Sequence, residues 1–544
     1  EPAPAAPGHA AADLRAATTP EAWQADFRLL IDELEAVHPD PWFHTSRADF
    51  VAAVEDVERR LPTMSWEESF TELTRVVAML RDGHTRVQFN ANADFGLRRA
   101  QVIYRLFPEG LFVVTVHPDH REILGGRVVR IGNTDVAEAI ARMEPLAPAD
   151  NDYTVLDRVP WYLTSADLLA GLGLIEDTAG CPVEVEKDGR TIATVLPTGT
   201  DHDESAWPVA ATDAGAPVPL YQRDPQKSYF LELIPEHDAA YLLFRRVQND
   251  EGESFAQFCE RAFATLDEKK VDRLVVDLRQ NGGGNNFLNR PLIHGIIRND
   301  LVNRPGHLFV ITGRATFSAA MCGTIDLERQ THALFAGEPT GASPNHHGDA
   351  VPILLPNTGV TVTISAVFWQ NSDPRDHRPW VEPDLPVELT WDDSIHGRDP
   401  VLEATLAYTP YDGERKNVAP TLIAWLDEGQ SVPHLLDRFD ELRATPEGRT
   451  YVLGEYQLNA LGYELLGRDR MDEALTVFRR NVELFPWSAN PWDSLGEALV
   501  TAGHLDEAIE AYRRSVELNP SNRSGQTMLR RLARGESGAA TGTN

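Results

Sequence analysis

Five blocks near the C-terminus recur at one fixed offset, and no other feature limits the possible folds as much. Leu461-Gly462 returns as Leu495-Gly496, Asp472-Glu473-Ala474 as Asp506-Glu507-Ala508, and Val482-Glu483-Leu484 as Val516-Glu517-Leu518. Arg479-Arg480 matches Arg513-Arg514, Pro486 matches Pro520, and every offset is 34. A constant period of this length means stacked units, each burying its apolar face on the next, rather than one central core. Two clear units are fewer than such a stack needs, so the helical segments at 418–447 and 522–534 are expected to flank them.

The period and its pattern resemble the tetratricopeptide repeat: two antiparallel helices per unit, small residues where they cross, and Pro ending the second. Two roles stay open for such an array. It caps the preceding domain, or it offers a concave surface to a protein or peptide partner.

The rest of the chain is bounded by composition. It has 544 residues, with 83 acidic and 50 basic side chains and a net charge of −33. That length suggests about three domains. So acidic a surface repels phosphate backbones, which disfavours nucleic acid as a partner. Apolar runs such as Leu308 to Ile311 are far too short to span a membrane. Cys181, Cys259 and Cys322, odd in number and far apart, make neither a disulfide framework nor a tetrahedral zinc site.

The chain starts at Glu1 and runs through a Pro/Ala-rich stretch that reads as a disordered tether over 1–19. Such a start is what removal of a signal peptide leaves, so an exported protein, periplasmic or extracellular, is expected. A trimmed cytoplasmic chain is the alternative. Helical spacing of Phe27, Leu30, Ile31 and Leu34, and of Phe70, Leu73, Val76, Val77 and Leu80, predicts a helical region over 20–85. Strand and turn patterns follow over 86–205, including Leu111 to Val116, Val128 to Ile131, and Val183-Glu184-Val185 before the Asp188-Gly189 turn. Over 206–410, short apolar strands at Leu274 to Leu278 and Leu308 to Thr312 alternate with helical segments, which predicts an α/β core. A helical linker at 411–448 leads to the repeats at 449–536, and 537–544 reads as a disordered tail.

Three short segments carry chemistry. Arg81-Asp82-Gly83-His84-Thr85 places a histidine in a Gly-containing turn past a helix end. Taken alone, a loop histidine is usually structural or solvated. Val275 to Gly284 runs a buried strand into three glycines whose N–H groups are free to form an anion nest. The bland reading is an ordinary Gly-rich turn. It lacks the Gly-Lys-Ser/Thr ending of a phosphate loop. The third, Leu308 to Met321, is a strand, a turn and a helix starting near Ser318. A serine there is by base rate a cap. Small neighbours leave room for a substrate, and the N–H of Ala319 at a helix N-terminus suits an oxyanion.

Together RDGHT, VVDLRQNGGG, ITGRATFSAAM, FAGEPTG (335–341) and WVEPDLPV (380–387) resemble the carboxyl-terminal-processing, or tail-specific, serine peptidases and the catalytic core of tricorn protease. The resemblance spans most of 20–405. It implies a crotonase-like α/β protease core, an N-terminal helical region and a PDZ-like β-rich insert, of which Leu124 to Asn133 looks like a remnant. One branch of that family uses a lysine base in a TxGKG-like run. Here the run reads Thr340-Gly341-Ala342-Ser343-Pro344-Asn345-His346-His347-Gly348, and no lysine lies between 271 and 415. The resemblance therefore points to the histidine branch. Ser318 is the expected nucleophile and His84 its base, with the N–H groups of Gly283 and Ala319 as oxyanion donors. Gly282 or Gly284 stands as the alternative to Gly283.

The group that orients His84 stays open. Tricorn has a serine before its histidine, where this chain has Gly83. Asp376 and Glu338 are the candidate acids, each with a bland reading as a loop or turn carboxylate. His346 and His347 are read as the rim of a substrate pocket, and Cys322 as a small buried residue. No cofactor or metal is implied. The expected activity is a serine endopeptidase acting on peptides or protein tails, with the repeats recruiting a protein partner. An inactive ligand- or peptide-binding protein on the same fold, or an esterase or amidase of small substrates, are the alternatives.

Overall fold

The computed structural model describes residues 15, 18–89, 97–200, 204–410 and 415–534. The expected tail at 537–544 and most of the expected tether at 1–19 lie outside these residues. Two compact units emerge. The first comprises residues up to Asn371 together with Pro379–Tyr408, and the second comprises Ser372–Arg378 and the chain from Thr409. The short Ser372–Arg378 segment, which the sequence places inside the α/β core, thus groups with the second unit.

In the first unit the N-terminal helices are Pro20–Val37, Arg47–Arg60 and Trp66–Ala78. Each begins where a side-chain oxygen satisfies an orphan N–H: Thr19, Ser46, and Ser65, the last in a capping box with Glu68. Their apolar stripes, Phe27, Leu30 and Leu34 with Phe70, Leu73 and Val76, are fully buried. They share one core with Val102, Val113, Val128 and Val185 of the β-rich region. That region folds as an antiparallel sheet in the order Arg99–Ala100, Arg190–Gly199, Gly180–Lys187, Arg127–Ile131, Gly110–Val116, Val102–Phe107. Helices Val136–Met143, Asp152–Tyr162 and Ala166–Gly171 interrupt it, where the sequence suggested only strands and turns. Asn151 and Ser165 cap two of them. Pro160, inside Asp152–Tyr162, masks the helical signal because proline normally ends a helix.

The α/β core is a six-stranded sheet: Leu385–Pro386, Leu334–Gly337, Leu308–Thr312, Arg273–Asp277, Ala239–Phe244, Tyr229–Ile234. All neighbours are parallel except the last pair. Alternation along the strands serves both faces. Leu274, Val276, Leu308 and Val310 pack under the helices Phe255–Lys269, Arg290–Arg298 and Ala319–Gln330. Val275, Phe309 and Ile311 meet Val401, Leu402 and Tyr408 on the other side. Burial of both faces explains why these strands read as continuous apolar runs.

In the second unit the repeats are the helix pairs Glu455–Gly467 with Met471–Leu484 and Ala489–Ala502 with Leu505–Leu518. Ala419–Asp427 and Val432–Ala444 precede them and Arg523–Leu532 follows. The period is physical. A Cβ on Gly462 would lie 2.6 Å from the Phe478 ring, and one on Gly496 3.0 Å from Tyr512. Asn481 donates to the Glu455 carbonyl at 3.1 Å, and Ser515 to the Ala489 carbonyl at 2.8 Å.

At the carboxyl end of Arg273–Asp277, the Arg279 guanidinium makes two 2.9 Å bonds to Asp399 and one of 2.8 Å to Asp277, with all three side chains nearly buried. Asp399 also caps the helix Pro400–Ala407. Removing Asp399 breaks its buried pair with Arg279, leaves two guanidinium N–H groups unpaired and uncaps the helix. Asp399→Ala is expected to destabilise the first unit by about 3–5 kcal/mol, read as an earlier transition in chemical denaturation.

Candidate active site

Ser318 is positioned by the two central strands. After Leu308–Thr312 the chain turns, with Gly313 N–H donating to the Thr316 hydroxyl at 3.0 Å and the Thr316 hydroxyl donating to the Leu278 carbonyl at 2.9 Å. Phe317 N–H donates to the Asn281 carbonyl at 3.0 Å. The serine turn is thus stitched to the end of the neighbouring strand. Ser318 sits at φ 55°, ψ −128°, a conformation L-residues rarely adopt, and the helix Ala319–Gln330 starts directly after it. Its side chain makes no capping bond. The base-rate reading of Ser318 as a cap does not apply.

Gly283 lies against it at φ 104°. A Cβ there would meet the Ser318 Cβ at 2.6 Å, the Ala319 nitrogen at 2.9 Å and the Ser318 Oγ at 3.0 Å. Only glycine fits. The Gly283 N–H itself donates to the Asn281 Oδ1 at 3.0 Å, which commits the donor expected for an oxyanion. Gly282, the alternative, lines the cleft. Ala319 opens the helix, where its N–H has no intrahelical acceptor.

His84 arrives from the N-terminal part of the chain. The strand Arg86–Val87 pairs with Thr361–Ile364, and the Thr363 hydroxyl donates to the His84 carbonyl at 2.9 Å. Asp82 is buried and holds the turn: it accepts the His84 N–H at 2.9 Å, the Thr85 hydroxyl at 2.5 Å and His38 Nε2 at 3.1 Å. The His84 ring stacks on Phe317, the residue before Ser318, with centroids 4.5 Å apart. Gly83 is required by the same contact, since a Cβ there would reach 2.6 Å from the Phe317 ring. His84 and Ser318 both line a cleft of about 630 Å³, with Phe89, Trp161 and Tyr162 among its walls. Burial first, then the neighbouring His346, lower the His84 pKa to about 3, against the pull of Asp82. The ring is therefore neutral, as a base must be.

Glu338 makes no bond to the His84 ring, and Asp376 belongs to the second unit. Glu338 is engaged by Arg314 at 2.6 Å. Asp376 takes Arg378 at 2.8 Å and the Ser372 hydroxyl at 2.6 Å, within the second unit's segment. Among the described residues the buried His84 Nδ1 has no hydrogen-bond partner. His346 and His347 are not a rim. Both are buried on the strand Asn345–Gly348, His346 with Nδ1 3.0 Å from the Ser343 carbonyl and its ring 6.0 Å from that of His84. Cys322 is buried, its thiol pushed up to about 12. Among the described residues no group of three or more His, Cys, Asp or Glu is placed to hold a metal ion.

Two carboxylates escaped the sequence reading. Asp82 stands inside the RDGHT motif, two residues before His84, where its position was the available signal. Asp150 had none. Its Oδ1 accepts the Gly83 N–H at 2.7 Å, it also takes the Ser343 N–H, and its buried Oδ2 has no partner among the described residues.

With this geometry in place, solved structures supply a comparison. Mature CPAF in complex with lactacystin overlays at a TM-score of 0.52, with 13% identity, 71% of this chain and 98% of that one covered. A serine-to-alanine mutant of CPAF gives 0.53, with 13% identity and coverages of 72% and 99%. The fold is similar to that of CPAF. The photosystem II D1 C-terminal processing protease is also similar, at 14% identity with 70% and 98% covered, though its TM-score is 0.34. The tetratricopeptide repeat family model matches residues 489–522, the second helix pair. No curated protein matches in sequence.

Burial, with Asp82 nearby, raises the Asp150 pKa from 3.8 to about 7. The folded protein holds this proton between those values while the unfolded chain releases it, so the group's contribution to stability falls as pH rises from 3.8 to about 7. Asp150→Asn keeps an acceptor for Gly83 and deletes the titration. The variant is expected to gain on the wild type by up to about 1.4 kcal/mol per pH unit across that window. Melting temperatures of both proteins across the window test this, and a constant difference would remove Asp150 from the pH response.

Proposed function

We propose that this chain is a serine peptidase in which Ser318 is the nucleophile and His84 the general base. The observation that carries the reading is Ser318 itself: strained, uncapped, at a helix N-terminus, in one cleft with a neutral histidine. In this mechanism Ser318 Oγ attacks the scissile carbonyl as His84 takes its proton. The nitrogen left for this is Nε2, because Nδ1 is the buried one. The tetrahedral oxyanion lies at the start of Ala319–Gln330, where the Ala319 N–H and the helix dipole stabilise negative charge. His84 then returns the proton to the leaving amine, leaving an acyl-serine that water hydrolyses by the same route in reverse. A lysine base has no support, since none of the residues lining the cleft is a lysine.

The CPAF-like fold supports the reading at the level of architecture. The repeats support recruitment of a protein partner, as repeat arrays commonly provide concave binding surfaces. One observation favours the ligand-binding alternative: no acid among the described residues bonds the His84 Nδ1.

A serine-reactive fluorophosphonate is expected to label the wild type, and Ser318→Ala to lose all labelling while keeping its melting transition. His84→Ala should cut labelling and peptide turnover by roughly a thousandfold or more, while Lys227→Ala leaves both in place. Retained turnover in folded Ser318→Ala would sink the mechanism.

A further inference from the structure

The protein is strongly acidic, with a net charge of −33, yet the cleft beside Ser318 is not. Among the described residues its charged lining is Arg86, Arg158, Arg314 and one carboxylate, Asp157. Arg314 is matched by Glu338 at 2.6 Å. Among the described residues Arg86 and Arg158 take part in no ion pair, whereas Arg60, Arg75, Arg99 and Arg279 each meet a carboxylate.

Both arginines line the cleft together with His84 and Ser318. Arg86 follows His84 by two residues on the strand Arg86–Val87 and is exposed to the cleft. Arg158, on the helix Asp152–Tyr162, donates to the Pro148 carbonyl and lies 5.1 Å over the Phe317 ring, the ring on which His84 stacks. Burial and Arg158 both push the Arg86 guanidinium down, and both arginines push His84 down. Asp157 faces Arg158, and also Arg105 and Arg314 from the adjoining cavity, while burial pushes its own carboxyl up. Arg105 is likewise without an ion pair among the described residues. Two like charges held together in a half-buried cleft are unfavourable until an anion joins them.

We propose that Arg86 and Arg158 form a carboxylate-binding subsite beside Ser318, which selects peptides carrying a carboxylate close to the bond presented to the serine. The forked guanidiniums suit a planar carboxylate. The neighbouring walls of Phe89, Trp161 and Tyr162 lower the local dielectric and strengthen the pairing. The acidic exterior does not forbid such a substrate, since the local pair decides once the carboxylate is inside. The subsite deepens the peptidase reading and rests on it for turnover, but not for binding.

The test uses the full chain and N-acetylated, C-amidated peptides in pairs that differ only as Glu or Gln at each position. A further pair of neutral peptides differs only in a free or amidated C-terminus. Two readouts are taken: kcat/KM with the wild type, and affinity for Ser318→Ala by fluorescence anisotropy. A side-chain carboxylate is expected to be favoured by roughly tenfold or more at one position. That ratio should fall toward one in Arg86→Gln and in Arg158→Gln, hold in part in Arg86→Lys, and reverse toward Lys-containing peptides in Arg86→Glu. If Arg158→Gln does not fold, the Arg86 series decides. A preference carried only by the free C-terminus assigns the same subsite to the chain end. Binding preference without turnover upholds the subsite and removes the peptidase reading. Turnover with equal treatment of Glu and Gln, and of free and amidated ends, overturns the subsite and leaves the peptidase.

Discussion

The site depends on one backbone contact, the approach of Gly283 to Ser318 with no side chain between them. Arg273–Asp277 and Leu308–Thr312 are adjacent parallel strands, so the loops leaving their carboxyl ends emerge side by side. Asn281 ties its own loop to the core through a 2.7 Å bond to the Phe244 carbonyl and ties the serine loop through its own carbonyl to Phe317. Thr316 makes the third tie. These bonds offset the strain at Ser318, about 1–3 kcal/mol for such a backbone. The helix that follows can then begin at the residue after the serine, and its N-terminus faces the cleft.

The histidine half of the site is built differently. His84 has no regular element of its own and is carried by a turn whose polar groups are buried. Asp82 is the hub, joining the end of the helix Pro20–Val37 through His38 to the Thr85 hydroxyl, which in turn accepts the Ser365 N–H at 3.0 Å. Asp150 brings in the chain just before Asp152–Tyr162, and Phe317 provides the face on which the imidazole rests. Such a network is rigid when every member is satisfied. His84 Nδ1 and Asp150 Oδ2, each without a hydrogen-bond partner among the described residues, mark places where this one is incomplete.

How much of this was legible depends on the range of the interaction. The repeats were readable because each Gly462–Phe478 contact has a copy, Gly496–Tyr512, at the same spacing, so packing left a periodic trace. The strands Arg273–Asp277 and Leu308–Thr312 were readable because burial on both faces demands unbroken apolar runs. The helices at 152–171 were not, since Pro160 and a short length hide their period behind the packing that sustains them. The role of Gly283 was half legible: its positive φ follows from a Gly-rich turn, but the commitment of its N–H to Asn281 does not.

The sequence by itself determined which chemistry was possible: a serine at the head of a helix, a glycine run after a buried strand, a histidine in a turn, and no lysine near any of them. These follow from local rules of backbone freedom, helix ends and side-chain type, which act over a few residues. Tertiary structure decided the rest. It set Glu338 on Arg314 and Asp376 on Arg378, left His84 Nδ1 without an acceptor, buried His346 and His347, and gathered Arg86 and Arg158 in an otherwise acidic protein. Charge pairing and burial depend on distances between segments remote in the chain, and only the folded core sets those distances.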